Sequence, residues 1–201
     1  TVTVDKKKPS VIDLAFSRTV VNQGTSLLLS VTTDELLAKP PKLNWAGADP
    51  GLVFLNQLQT SYAYFRSIDA ALPDQDYVLA SIELEDSVGN TATISPSAQQ
   101  IPDRFTVDNQ APVIENFALS PERVTINQTI EARFAITENL ESDAVRATVL
   151  GQTMVCTSTQ TNYVCQYTLQ ASDLPSLEEQ SIAVEVRAID AAGNIGSDVK
   201  N

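Results

Sequence analysis

The chain repeats itself. Thr3-Val4-Asp5-Lys6-Lys7-Lys8-Pro9 and Thr106-Val107-Asp108-Asn109-Gln110-Ala111-Pro112 share a T-V-D-x-x-x-P pattern whose prolines stand 103 positions apart. Asp86-Ser87-Val88-Gly89-Asn90 returns 104 positions later as Asp190-Ala191-Ala192-Gly193-Asn194. A period that holds at both ends of the unit and spans nearly all 201 residues means two copies of one module. Each copy has the ordinary size of a domain, about 100 residues, so each is expected to close around its own core.

The local pattern within each copy is that of strands. Tyr77 to Glu85 alternates, which predicts Val78, Ala80, Ile82 and Leu84 on a buried face with Ser81, Glu83 and Glu85 outside. Ile182, Val184, Val186 and Ala188 repeat that face, with Val78 matched to Ile182. Leu27 to Thr33 and Ile130 to Thr137 form an earlier strand in each copy, and Lys42 to Trp45 and Val145 to Leu150 another. Prolines fall in connections and no long helical period is present. About seven short strands per copy, separated by turn chemistry, indicate an all-β protein of two antiparallel sandwiches.

The first domain is expected over residues 1–107 and the second over 108–201. Arg104-Phe105-Thr106-Val107 reads as a closing strand, and Thr1-Val2-Thr3-Val4 has the same form, so residues 1–5 read as the tail of a preceding repeat. The tether between the copies, Asp108 to Ala111, is short and bounded by proline, which restricts the angle between them.

Cys156 and Cys165 lie in two β-prone arms joined by a polar turn, where the first copy has Leu52 to Leu55 and Tyr62 to Phe65. A disulfide in place of a large apolar cross-strand pair is the favoured reading, and it implies an oxidising compartment and hence a secreted or cell-surface protein. Buried free thiols and a metal or redox pair are the alternatives; zinc would lack further ligands in a chain with no histidine.

The net charge of −12 disfavours nucleic acid as a partner, and no apolar run approaches the length of a membrane span. Nor does the chain carry a Ser-His-Asp or Cys-His arrangement or a glycine-rich phosphate loop. The carboxylate pairs Asp74/Asp76 and Glu178/Glu179 read as solvated loops without an aromatic platform. The chain is therefore expected to be no enzyme.

Each half resembles the bacterial immunoglobulin-like repeats of large secreted and cell-surface proteins. The resemblance rests on Val107-Asp108 to Pro112, on Gly151 through Tyr163 and Tyr167, and on Ala188-Ile189-Asp190 to Gly193-Asn194, with a looser first copy. It implies two tandem immunoglobulin-like β-sandwich domains acting as spacers in adhesins, surface layers or exported enzymes, sometimes stiffened by calcium.

Calcium favours about six to eight oxygens. Asp103, Asp108 and Asn109, with Glu138, Asn139 and Glu141 from a nearby turn, are the residues expected to supply them if it binds; Lys6 to Lys8 argue against such a site at the start of the first copy. No other cofactor is indicated. The Asp86/Gly89/Asn90 and Asp190/Gly193/Asn194 sets read as tight turns. Trp45, the single tryptophan, is either core or a carbohydrate-stacking platform.

The function expected is a non-enzymatic structural or spacer segment of a bacterial surface protein or adhesin, with neighbouring repeats of the same chain as partners and a surface protein or glycan as a further one. The alternatives are a carbohydrate- or protein-binding module and an accessory domain of an exported hydrolase.

Overall fold

A computed structural model describes residues 4–141, 143–174 and 181–201. The chain divides into two compact units, Thr1–Asn109 and Gln110–Asn201. The division falls two residues beyond the expected one because Asp108 and Asn109 are tied to the first unit. The Asp108 N–H donates to the Val21 carbonyl at 2.9 Å, and the Asn109 N–H donates to Asp74 at 3.1 Å.

The first unit contains β1 (Val11–Phe16), β2 (Val20–Val21), β3 (Ser26–Thr33), β4 (Lys42–Ala46), β5 (Val53–Leu58), β6 (Ser61–Ser67), β7 (Gln75–Glu85), β8 (Thr91–Ile94) and β9 (Arg104–Val107). One sheet has the order β1-β3-β6-β5; the other runs β2-β9-β7-β4, with β8 also paired to β7. The second unit contains β10 (Ile114–Ser120), β11 (Thr129–Ile136), β12 (Val145–Val149), β13 (Gln152–Thr153), β14 (Val155–Thr159), β15 (Asn162–Thr168), β16 (Val184–Ile189) and β17 (Ile195–Lys200). Its sheets have the orders β10-β11-β15-β14 and β13-β12-β16-β17. Both units are antiparallel immunoglobulin-like β-sandwiches, and among the described residues every ladder is antiparallel except the two-residue pairing of β2 with β9.

Alternation explains the cores. β3 buries Leu27, Leu29 and Val31, and β11 buries Ile130, Ala132, Phe134 and Ile136. Every second side chain of a strand shares a face, so these residues meet β7 and β16 of the opposing sheet. In β16 the inward set is Val184, Val186 and Ala188, as the pattern predicts.

In β7 the inward face differs from the expected one. Tyr77, Leu79, Ile82 and Leu84 are buried, Ala80 is exposed and Val78 is half-buried. Between Asn44 and Trp45 on β4 the pairing jumps from Ser81 to Leu79, leaving Ala80 as a bulge. One extra residue flips every side chain beyond it, so a strict alternation was the wrong rule on that side of the bulge. The position matching Ile182 is accordingly Tyr77 and not Val78. Trp45 pairs with Leu79 as Val149 pairs with Val184, and Tyr77 and Ile182 each lie two residues before those partners.

Candidate functional site

The two D-x-x-G-N turns are built alike and hold the start of their own unit. Asp86 Oδ1 accepts from the backbone N–H of Val88 at 2.9 Å and Asn90 at 2.8 Å, while Asn90 Nδ2 donates to Asp86 Oδ2 at 2.7 Å. Asp190 accepts from Gly193 and Asn194 in the same way, at 2.7 and 2.8 Å, with Asn194 Nδ2 donating to it at 2.8 Å. Gly89 and Gly193 sit at φ +92° and +95°, a conformation that glycine enters without steric penalty. Each turn asparagine also reaches the opening segment of its unit: Asn90 Nδ2 donates to the Asp5 carbonyl at 3.4 Å, and Asn194 Nδ2 to the Gln110 carbonyl at 3.1 Å.

At that end of the first unit three carboxylates converge. Ligand-capable oxygens of Asp5, Glu35 and Asp86 lie within 4.8 Å of one another; Asp5 is exposed, Glu35 half-buried and Asp86 buried. Glu35 Oε1 is shut off from solvent and has no hydrogen-bond partner. Burial pushes the Glu35 carboxyl up, and the negative charges of Asp34, Asp5 and Asp86 push the same way, outweighing the opposing Lys7 ammonium. Lys7 itself is drawn to Asp34, at 2.7 Å. For Asp34, burial works upward, but hydrogen bonds from Lys7 and Ser10 prevail and hold its carboxyl below the usual range. Asp86 follows the same logic, with burial overcome by donors from Asn90, Val88 and Gly89.

Such a set could hold a hard cation, for which it offers one oxygen from each of three carboxylates, against the roughly six to eight that calcium takes. Sequence reasoning missed this trio. Its signal was the duplication, since Asp5, Glu35 and Asp86 recur in the sequence as Asp108, Glu138 and Asp190.

The residues expected around calcium have the following places. Asp103 faces Arg104, whose Nε donates to it at 3.0 Å. Asn109 accepts from the Gln23 N–H at 2.6 Å through Oδ1 and donates through Nδ2 to Asp74 at 2.5 Å. Asp103, Asp108 and Asn109 belong to the first unit and Glu138 to the second. Asp76, placed in a loop by the sequence, lies in β7 and accepts from the Thr106 hydroxyl at 2.6 Å; Glu178 and Glu179 are outside the described residues.

Trp45 is half-buried and packs between the two core clusters of its unit, edge-on to Phe105 with ring centroids 5.9 Å apart. Tyr62 and Tyr64 face the core, where the Tyr62 hydroxyl accepts from the Leu37 N–H at 2.9 Å and Tyr64 donates to the Pro41 carbonyl. Burial raises the Tyr64 phenol, keeping it a donor. Cys156 and Cys165 form a disulfide across β14 and β15.

No protein-family profile and no curated protein matches the chain. Solved structures do. The fibronectin(III)-like modules of Clostridium thermocellum CbhA align over 95% of this chain and 90% of theirs, with 14% identity and a TM-score of 0.44. Murine CEACAM1b aligns over 94% and 97%, with 10% identity and a TM-score of 0.41. A protein of unknown function from Porphyromonas gingivalis W83 aligns over 96% and 98%, with 15% identity and a TM-score of 0.34. Among the described residues no helix is long and apolar enough to cross a membrane.

Proposed function

We propose that this chain is a non-enzymatic extracellular segment of a larger surface protein or adhesin, in which serial sandwiches hold neighbouring domains apart. The observation that carries the reading is the Cys156–Cys165 bridge, which ties the edge strand β14 to β15. Such a bond persists in an oxidising compartment, and it ties down an edge strand of the second unit. Antiparallel ladders over buried cores suit a segment that carries load, because several paired strands must part before a unit opens.

Single-molecule stretching with small-angle scattering tests the proposal. The expected result is a stiff pair that gives two separate unfolding events. A freely pivoting pair, or one merged event, overturns the spacer reading. Binding on a glycan array that is lost in Trp45→Ala at unchanged stability would replace it with a binding module.

A further inference from the structure

Among the described residues of the second unit no strand occupies the place that β9 has in the first. In the first unit β9 runs antiparallel to the leading part of β7 and parallel to β2, and its Phe105 and Val107 are 0% and 1% exposed. Phe105 stacks on Tyr77 with ring centroids 5.1 Å apart, and around the pair Val21, Leu27, Ile68 and Leu72 form a core cluster of their own.

Among the described residues of the second unit Ile130 and Leu169 are buried as Leu27 and Ile68 are, but the strands of this closing layer are not formed. Arg123-Val124, the counterpart of β2 103 positions on, is not a strand, and neither is Ser181-Ile182-Ala183, the counterpart of the leading part of β7. Val124 and Ile182 are half-buried where Val21 and Tyr77 are 0% and 1% exposed. Between these segments lies a cavity of about 1060 Å³ lined by Leu119, Val124, Ile130, Leu169, Ile182 and Val184, with the end of β17 at its rim.

We propose that this cavity is the seat of a closing strand supplied from outside residues 110–201, namely the T-V-D strand of a neighbouring repeat of the same kind. The first unit shows what fits, an extended segment with Phe105 and Val107 two residues apart on its inward face and Asp108 following. The chain's own Thr1-Val2-Thr3-Val4-Asp5 matches Arg104 to Asp108 at the 103-residue period, so a sequence of this chemistry recurs with the repeat. Side chains two apart share a face, so both apolar groups of such a strand enter the cavity together. Its backbone then pairs along Ser181–Ala183, the mode by which a sheet accepts an added strand. The inference rests on the duplicated architecture and is independent of where the protein works.

The test grafts a strand onto the full chain. Residues Val199–Asn201 are replaced by the sequence of Ser95–Asp108, joined after Asp198, the counterpart of Ile94 104 positions on. Tethering places the strand at high effective concentration, so a weak fit is still seen. The expected result is a rise of about 5 °C or more in the melting temperature of the second unit. Amide exchange at Val124 and Ile182 should slow about tenfold or more. A control graft with aspartate at both inward positions should do neither. In a second arm, a free peptide of the Ile101–Asn109 sequence added to the unmodified chain should slow the same amides, and a scrambled peptide should not. A graft without effect, or an aspartate or scrambled control that works equally well, overturns the proposal.

Discussion

Phe54 and Tyr64 meet edge to face across β5 and β6 with ring centroids 5.8 Å apart, at the cross-strand position that Cys156 and Cys165 occupy in the second unit. The match is set by pairing: Tyr64 lies opposite Leu29 and Cys165 opposite Ala132, 103 residues on. Both devices pin an edge strand to its neighbour. An aromatic pair adds about 0.5–1.5 kcal/mol beyond its burial, whereas a disulfide constrains the unfolded chain. The covalent device stands where the edge strand, Val155 to Thr159, is short and mostly polar.

Breaking that bridge should weaken the second unit alone. The cysteines are nine residues apart in sequence, and closing so short a loop contributes about 2–3 kcal/mol in the chain-entropy picture. In Cys156→Ala/Cys165→Ala, or in the native chain with reductant, the urea transition of the second unit should move down by that amount. The transition of the first unit should stay in place.

Phe105→Ala should destabilise the first unit by about 3–5 kcal/mol, the usual cost of emptying a buried aromatic site. Phe105 is fully buried and touches Phe16, Trp45 and Tyr77. Trp45 fluorescence reports the change directly; a loss below about 1 kcal/mol would contradict the packing described.

Gly196 offers a sharper steric test. A Cβ added there would lie 1.8 Å from the Pro112 carbonyl oxygen, closer than atoms tolerate. The clash is with backbone, so Gly196→Ala must displace the opening segment of the unit or β17. The expected loss is at least about 1–3 kcal/mol, read by thermal melting of the second unit.

Acid should act on the first unit in two opposed steps. Asp34 and Asp86 have carboxyls held low in the fold, so the stability they contribute is present above the unfolded value of about 3.9 and is lost as pH falls through their folded values. Glu35 is raised, so its ionised form opposes folding, and stability is gained as pH falls through its raised value toward the unfolded one. Glu35→Gln should therefore stabilise the first unit at pH near 7 and abolish the gain on mild acidification. Asp86→Asn should diminish the loss at lower pH. Urea midpoints measured from about pH 7 to 3 check both signs.

Much of the fold was legible because its signals are local. The alternation in Ile130 to Ile136 and Val184 to Ala188 names the faces they bury, and Asp86 and Asp190 bind their own turns as their neighbours Gly89, Asn90, Gly193 and Asn194 suggest. The candidate site was less legible. Asp5, Glu35 and Asp86 are brought together from an opening segment, a turn after β3 and a turn after β7, and nothing in their individual surroundings marks them as a set. Likewise Trp45 gives no sign by itself of which aromatic rings will enclose it.

The amino-acid sequence by itself determined the duplication, the strand class of each copy and the cysteine pair able to bridge a hairpin, because repetition, side-chain period and turn chemistry are written over a few residues at a time. Tertiary structure alone decided that Ala80 bulges out of β7, that Glu35 Oε1 is sealed off beside two further acids, and that β9 caps a core for which Gln110–Asn201 leaves a cavity. These depend on which distant strands pair and in what register, and a local period carries no information about a partner some eighty residues away.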